Sequence, residues 1–147
     1  MADEMNFDFT DLQQLAADLG KVAAGADPFI RKALQVTSGN VKDAALKSVE
    51  DNDPSGRWTG AKGAIDYELS AFEGFGASVL KSEIGYDVER YGDKARLGNL
   101  REYGAPGADG VPLAPHNDLL NALHANEADF VKGLSIALKD AEKAAGL

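Results

Sequence analysis

Cysteine is absent from the 147 residues, so the fold uses neither a disulfide nor a thiolate metal site. No apolar run approaches the roughly 20 residues of a membrane-spanning helix. Base is in short supply: 15 Lys and Arg stand against 24 Asp and Glu, a formal charge of -9. That deficit argues against an outer surface that grips phosphates by counterion release. An acidic wall repels a polyanion, and so suits a passage that nucleic acid traverses without sticking. Histidine is scarce, with only His116 and His124. Eight residues apart on a helix they project about 80° from one another, which is not the shared face of an HExxH pair. Even with Asp118 and Glu127 nearby they read as solvated or capping residues. No serine sits in a GxSxG elbow. The glycines of "GDKARLGN" and "GAPGADG" fit neither the Walker pattern nor GxGxxG after a strand. No nucleophile or ligand constellation points to an enzyme, and neither a cofactor nor a metal is expected.

What is present suffices for one core, since 44% of the residues are hydrophobic, and a single domain over residues 1–147 is expected. Phe9, Leu12, Leu15, Ala16, Leu19, Val22 and Ala23 recur at helical spacing, with Thr10 and Gln13 placed as a capping box. Asp27 as N-cap and Pro28 at the first helical position open a second helical signal, which carries Ile30, Leu34, Val41, Ala45 and Val49. The two are either one long kinked helix or two pieces, and Gly39 is a further possible break. The period then changes. Ile65, Tyr67 and Leu69 alternate with Asp66, Glu68 and Ser70, and Leu80, Ser82, Ile84 and Tyr86 alternate in turn, around a glycine-bearing "FEGFG" turn. Residues 95–103 read as a helical turn or a third strand. Asn117 or His116 then caps a helix to about Ala145, with Leu119, Leu120, Leu123, Phe130, Val131, Leu134, Leu138 and Ala141 as its apolar stripe and a frayed end. The plan is α+β: a helical N-terminal half, an antiparallel β-hairpin or small sheet, a long Pro/Gly loop and a C-terminal amphipathic helix.

Trp58, the only tryptophan, follows a Pro-Ser-Gly-Arg turn. It is either an exposed anchor for a partner or a core aromatic closing the end of the first helix. Asp66 and Glu68 share a strand face, where paired carboxylates can serve acid and base roles or be solvated. The small excess of base from Arg90 to Arg101 suits a phosphate, an acidic neighbour or a salt-bridged surface.

Between Asn99 and Leu123 the chain reads "NLREYGAPGADGVPLAPHNDLLNAL", too long and aperiodic for an ordinary connection. Thr59-Gly60, then Leu100, Glu102, Tyr103 and Gly104, then Pro112, Leu113 and Pro115, then Ala122-Leu123 follow one another in an order that resembles tailed-bacteriophage head-to-tail joining proteins, the neck, tail-completion or minor tail components. The likeness spans roughly residues 30–145. Ala105 stands where that family usually has a threonine, and Ala61-Lys62-Gly63 where a bulky apolar residue is more usual.

The resemblance implies a non-enzymatic virion protein, made in the host cytoplasm and carried at the neck. It would form a homo-oligomeric ring between a head connector, adaptor or stopper and a tail terminator or tail-tube protein, with double-stranded DNA passing non-specifically and no membrane involved. In that picture Tyr103, Gly104, Pro106, Val111, Pro112, Leu113 and Pro115 form the loop that meets a neighbouring subunit or ring. The hairpin edge offers a second contact. Glu68, Glu73, Glu83, Asp87 and Glu89 are expected to face the channel. A different class of protein fits the charge as well, an acidic regulatory or inhibitory binder that imitates DNA.

Overall fold

The computed structural model describes residues 10–74, 77–107 and 110–147, with side chains for 14, 17, 18, 20–71, 80–107 and 110–147. The expected contacts of Phe9, Leu12, Leu15, Ala16 and Leu19, the Thr10–Gln13 cap, the turn at Phe75 and Gly76 and the carboxylate of Glu73 lie outside that description. Helix α1 runs unbroken from Thr10 to Asp51. Pro28 therefore opens no second helix, and Gly39 makes no break. An internal proline removes one backbone hydrogen bond and costs about 3 kcal/mol, a penalty that packing further along the same helix can outweigh. Three residues of its second half, Val41, Ala45 and Val49, are buried to 1% exposure or less.

Asn52 ends α1, with both its amide nitrogen and its side-chain amide on the Ser48 carbonyl. A short α2 (Thr59–Lys62) follows, then β1 (Ile65–Gly74) and β2 (Ala77–Tyr86). The strands pair antiparallel, Ile65 opposite Tyr86 and Gly74 opposite Ala77, as a two-stranded sheet. Residues 95–103 resolve as helix: α3 (Val88–Tyr91) and α4 (Asp93–Tyr103) precede the loop, and α5 runs from Asp118 to Ala144.

The chain divides into two compact units. In the larger, Leu34–Val131, alternation along the hairpin buries Ile65 and Tyr86 and exposes Glu68 and Glu83. The core joins Val41, Ala45 and Val49 with Trp58, Ala61, Ile65, Tyr86, Ala95 and Ala122. Gly98 is required here, because a Cβ at that position would sit 2.1 Å from the Tyr86 ring. A hydroxyl pair replaces an apolar contact where Ser38 meets Ser82 at 2.6 Å.

In the smaller unit, residues 1–33 with 132–147, the buried positions among described side chains are Ala26, Ala137 and Ala141. The stripe expected on α5 is thereby corrected. Its buried residues are Asp118 and three alanines, Ala122, Ala137 and the expected Ala141, while Leu120, Leu123, Val131 and Leu138 are 45 to 65% exposed. Nor does the C-terminus fray as a free end. Leu147 donates its amide to the Glu142 carbonyl and Gly146 to that of Lys143, with Gly146 at φ 82, the bonding of a Schellman cap.

Candidate functional site

The Pro/Gly loop is closed at its neck. Ala105 and Leu113 exchange both backbone hydrogen bonds, at 3.1 and 2.7 Å, and the amides of His116 and Asn117 donate to the carbonyls of Arg101 and Glu102. Gly104 makes the reversal possible. It has φ 74, and a Cβ there would lie 2.5 Å from the Leu113 carbonyl oxygen, so both the backbone angle and the space exclude a larger residue.

Two neighbouring side chains of α4 tie this neck to α5. Glu102, 2% exposed, accepts from the amides of Leu119 and Leu120 at 3.0 and 3.2 Å. Those amides belong to the first turn of α5 and have no partner within the helix. A carboxylate there also meets the positive end of the helix dipole. The expected caps are thus corrected: a residue 17 positions away supplies the oxygens, His116 is exposed, and Asn117 is held at φ 54.

Arg101 is fully buried. Its Nε donates to Asp118 Oδ2 at 2.7 Å, Ser48 Oγ donates to Asp118 Oδ1 at 2.5 Å, and the guanidinium carbon lies 5.7 Å from the Trp58 ring centroid. Arg101 Nη1 and Nη2 and the Tyr86 hydroxyl are buried without a hydrogen-bond partner. Burial, reinforced by the charges of Asp118 and Glu102, pushes the Tyr86 phenol up to about 12. Trp58 is 9% exposed and belongs to the core. It is therefore no exposed anchor, because its ring is spent inside the fold. Burial opposes the charge of Asp53 beneath it, but hydrogen bonds from the Trp58 amide, Ser55 and Thr59 prevail and hold that carboxyl below the usual range.

The loop residues divide by role. Tyr103 and Val111 are 74 and 75% exposed, and Pro106, Pro112 and Pro115 are exposed too. Leu113 instead packs against the core, so its side chain and the constrained Gly104 serve the loop's own shape. Beside the loop, Ile84, Tyr103, Leu119, Leu120 and Leu123 line an apolar groove of about 340 Å³.

At the base of the hairpin a second hollow, about 640 Å³, gathers Glu68, Glu83, Asp87 and Glu89. Glu68 and Glu83 are direct cross-strand partners, a like-charge pairing that costs stability. Lys81 pairs with Glu83, and Asp87 caps α3 by accepting from the Arg90 amide at 3.0 Å. Asp66 bonds Lys42 at 3.1 Å and Arg90 at 2.9 Å. The Tyr67 amide first, then Lys42, hold its carboxyl below the usual range. Within the basic stretch from Arg90 to Arg101, Arg96 pairs with Asp93 and Arg101 with Asp118. His124 Nδ1 meets Glu127 at 3.0 Å on an exposed face. Among the described residues no three His, Asp or Glu side chains converge as a metal site, and no helix is long and apolar enough to cross a membrane.

The sequence signal for the buried latch was slight: Asp118 at the very start of a helix, and a glycine inside α4 where Tyr86 lies against it. No family profile, curated protein or solved structure matches the chain.

Proposed function

We propose that this protein is a structural subunit of a tailed-phage neck or tail-completion assembly, a ring-former around the path of DNA. The observation that supports this most is the division of labour in the resembling motif. Glu102 and Gly104 build the latch and turn, while Tyr103, Val111 and the three prolines stand outward on the surface it creates. A loop preset by prolines and tied at its neck loses little conformational freedom on docking. The acidic hollow of Glu68, Glu83, Asp87 and Glu89 suits a wall that DNA passes without sticking. Virion localisation and a non-enzymatic role belong to the same reading.

The test is genetic and visual. Loss of the protein is expected to leave filled heads and separate tails, and micrographs of intact particles to hold its density at the vertex where head meets tail. Normal particles formed without it would overturn the proposal. The same hollow favours a second reading, an acidic binder that occupies a basic DNA-binding partner. That reading requires neutralisation of Glu68 and Glu83 to abolish binding to such a partner and to leave particle assembly intact.

A further inference from the structure

We infer that water occupies a closed site between the Arg101 guanidinium and the Tyr86 hydroxyl, and joins the base of the hairpin to the neck of the loop through hydrogen bonds to both. Arg101 is 0% and Tyr86 7% exposed. Among the described residues, Arg101 Nη1, Arg101 Nη2 and the Tyr86 hydroxyl are the buried side-chain polar atoms that have no hydrogen-bond partner. They belong to one region. Gly98 and Arg101, three residues apart on α4, share a helix face. The Tyr86 ring lies against Gly98, and the charges of Asp118, Glu102 and Arg101 all act on its phenol.

The neighbouring acceptors are already engaged. Arg101 Nε takes Asp118 Oδ2, Asp118 Oδ1 accepts from Ser48, and the two oxygens of Glu102 accept from the amides of Leu119 and Leu120. The Trp58 ring beside the guanidinium attracts its charge but offers no lone pair in return. The Nη hydrogens and the phenol therefore need a partner from outside the chain, because a buried donor left unpaired forfeits the hydrogen bonds that solvent gave it when unfolded. Charge chooses that partner. Two carboxylates already face one guanidinium, so an anion would add a third negative charge, and a cation would meet the guanidinium hydrogens. Arg101 lines neither of the two hollows described above, so the site takes a molecule of solvent size rather than an organic ligand. Water is small and neutral, accepts from Nη1 or Nη2, and meets the phenol in either direction. Three polar atoms are the usual number of partners for an internal water. The consequence is a link between elements. Tyr86 ends β2, and the Arg101 carbonyl accepts from the His116 amide at the loop neck.

The test uses the full-length protein. A crystal structure fine enough to show ordered solvent is expected to hold a peak within hydrogen-bond distance of both an Arg101 Nη atom and the Tyr86 hydroxyl, and a second crystal grown in bromide to give no anomalous signal there. In solution, relaxation dispersion of the water signal reports solvent held inside the fold. Tyr86→Phe keeps the ring against Gly98 and removes one partner of the water, so the dispersion amplitude is expected to fall. An anomalous peak at the site would make the occupant a halide and overturn the inference. Both Arg101 Nη atoms bonded to carbonyls of the chain, or a solvent peak that touches only one of the two residues, would remove the bridge. An unchanged dispersion amplitude in Tyr86→Phe would refute it as well, and that measurement needs no crystal.

Discussion

Between Leu34 and Val131 the buried residues include a guanidinium, two carboxylates and a serine beside the aliphatic and aromatic core, whereas among the described side chains of residues 1–33 and 132–147 the buried ones are Ala26, Ala137 and Ala141. The larger unit is specified by partners that must match in charge, direction and hydrogen bonding. Among its described side chains, the smaller buries small residues that let surfaces approach, as where Gly133 lies against Ala33. A mismatch in the first leaves a buried charge or an unpaired amide; a mismatch in the second leaves a modest gap or bump. The contrast teaches where this protein tolerates change.

The largest effect is expected at Arg101. Arg101→Met strands Asp118, 2% exposed, and should cost about 3–5 kcal/mol, read by urea unfolding with Trp58 fluorescence. Adding Asp118→Leu should recover much of the loss, because two apolar groups leave no unpaired charge. Failure to recover would mean that the pair is irreplaceable as a template for the neck.

Gly98→Ala places a methyl 2.1 Å from the Tyr86 ring and is expected to cost about 2–3 kcal/mol, shifting the same urea midpoint. Alkaline titration probes the same ring. A phenol raised to about 12 from an ordinary value near 10 keeps its proton longer folded than unfolded, so its contribution is complete below pH 10 and is lost as pH rises toward 12. The loss should amount to roughly 2–3 kcal/mol. Ultraviolet absorbance should show one tyrosine ionising last, and Tyr86→Phe should flatten that part of the stability profile.

In the smaller unit, Ala141→Leu overfills a position 1% exposed and should cost about 1–2 kcal/mol. Gly146→Ala, at φ 82, should cost about 1 kcal/mol. Both are expected to lower helicity by circular dichroism before Trp58 fluorescence changes. Coincident loss of the two signals would erase the contrast between the units.

Much of the element order is legible in local pattern. Ile65, Tyr67 and Leu69 alternating with acids announce the hairpin, and Val41, Ala45 and Val49 announce a helix face, because period two and period 3.6 are imposed by each residue's near neighbours. The exposed part of the loop is legible for the same reason, through its prolines. The latch is not. Arg101 and Glu102 look like any surface pair, and what buries them is α5, whose first residues lie 17 and 18 positions away. Trp58 is equally open to two readings in sequence, and only the Arg101 guanidinium over its ring and its 9% exposure place it in the core.

Side-chain periodicity specifies the helical faces of the two chain ends and the hairpin, and proline's fixed angle restricts the loop, but local pattern leaves residues 95–103 between helix and strand and the first half between one helix and two. Tertiary structure alone decided which leucines of α5 stay exposed, which alanines are covered and which charges enter the core. Burial depends on what approaches from a distant part of the chain, and a buried charge persists only where a distant partner neutralises it.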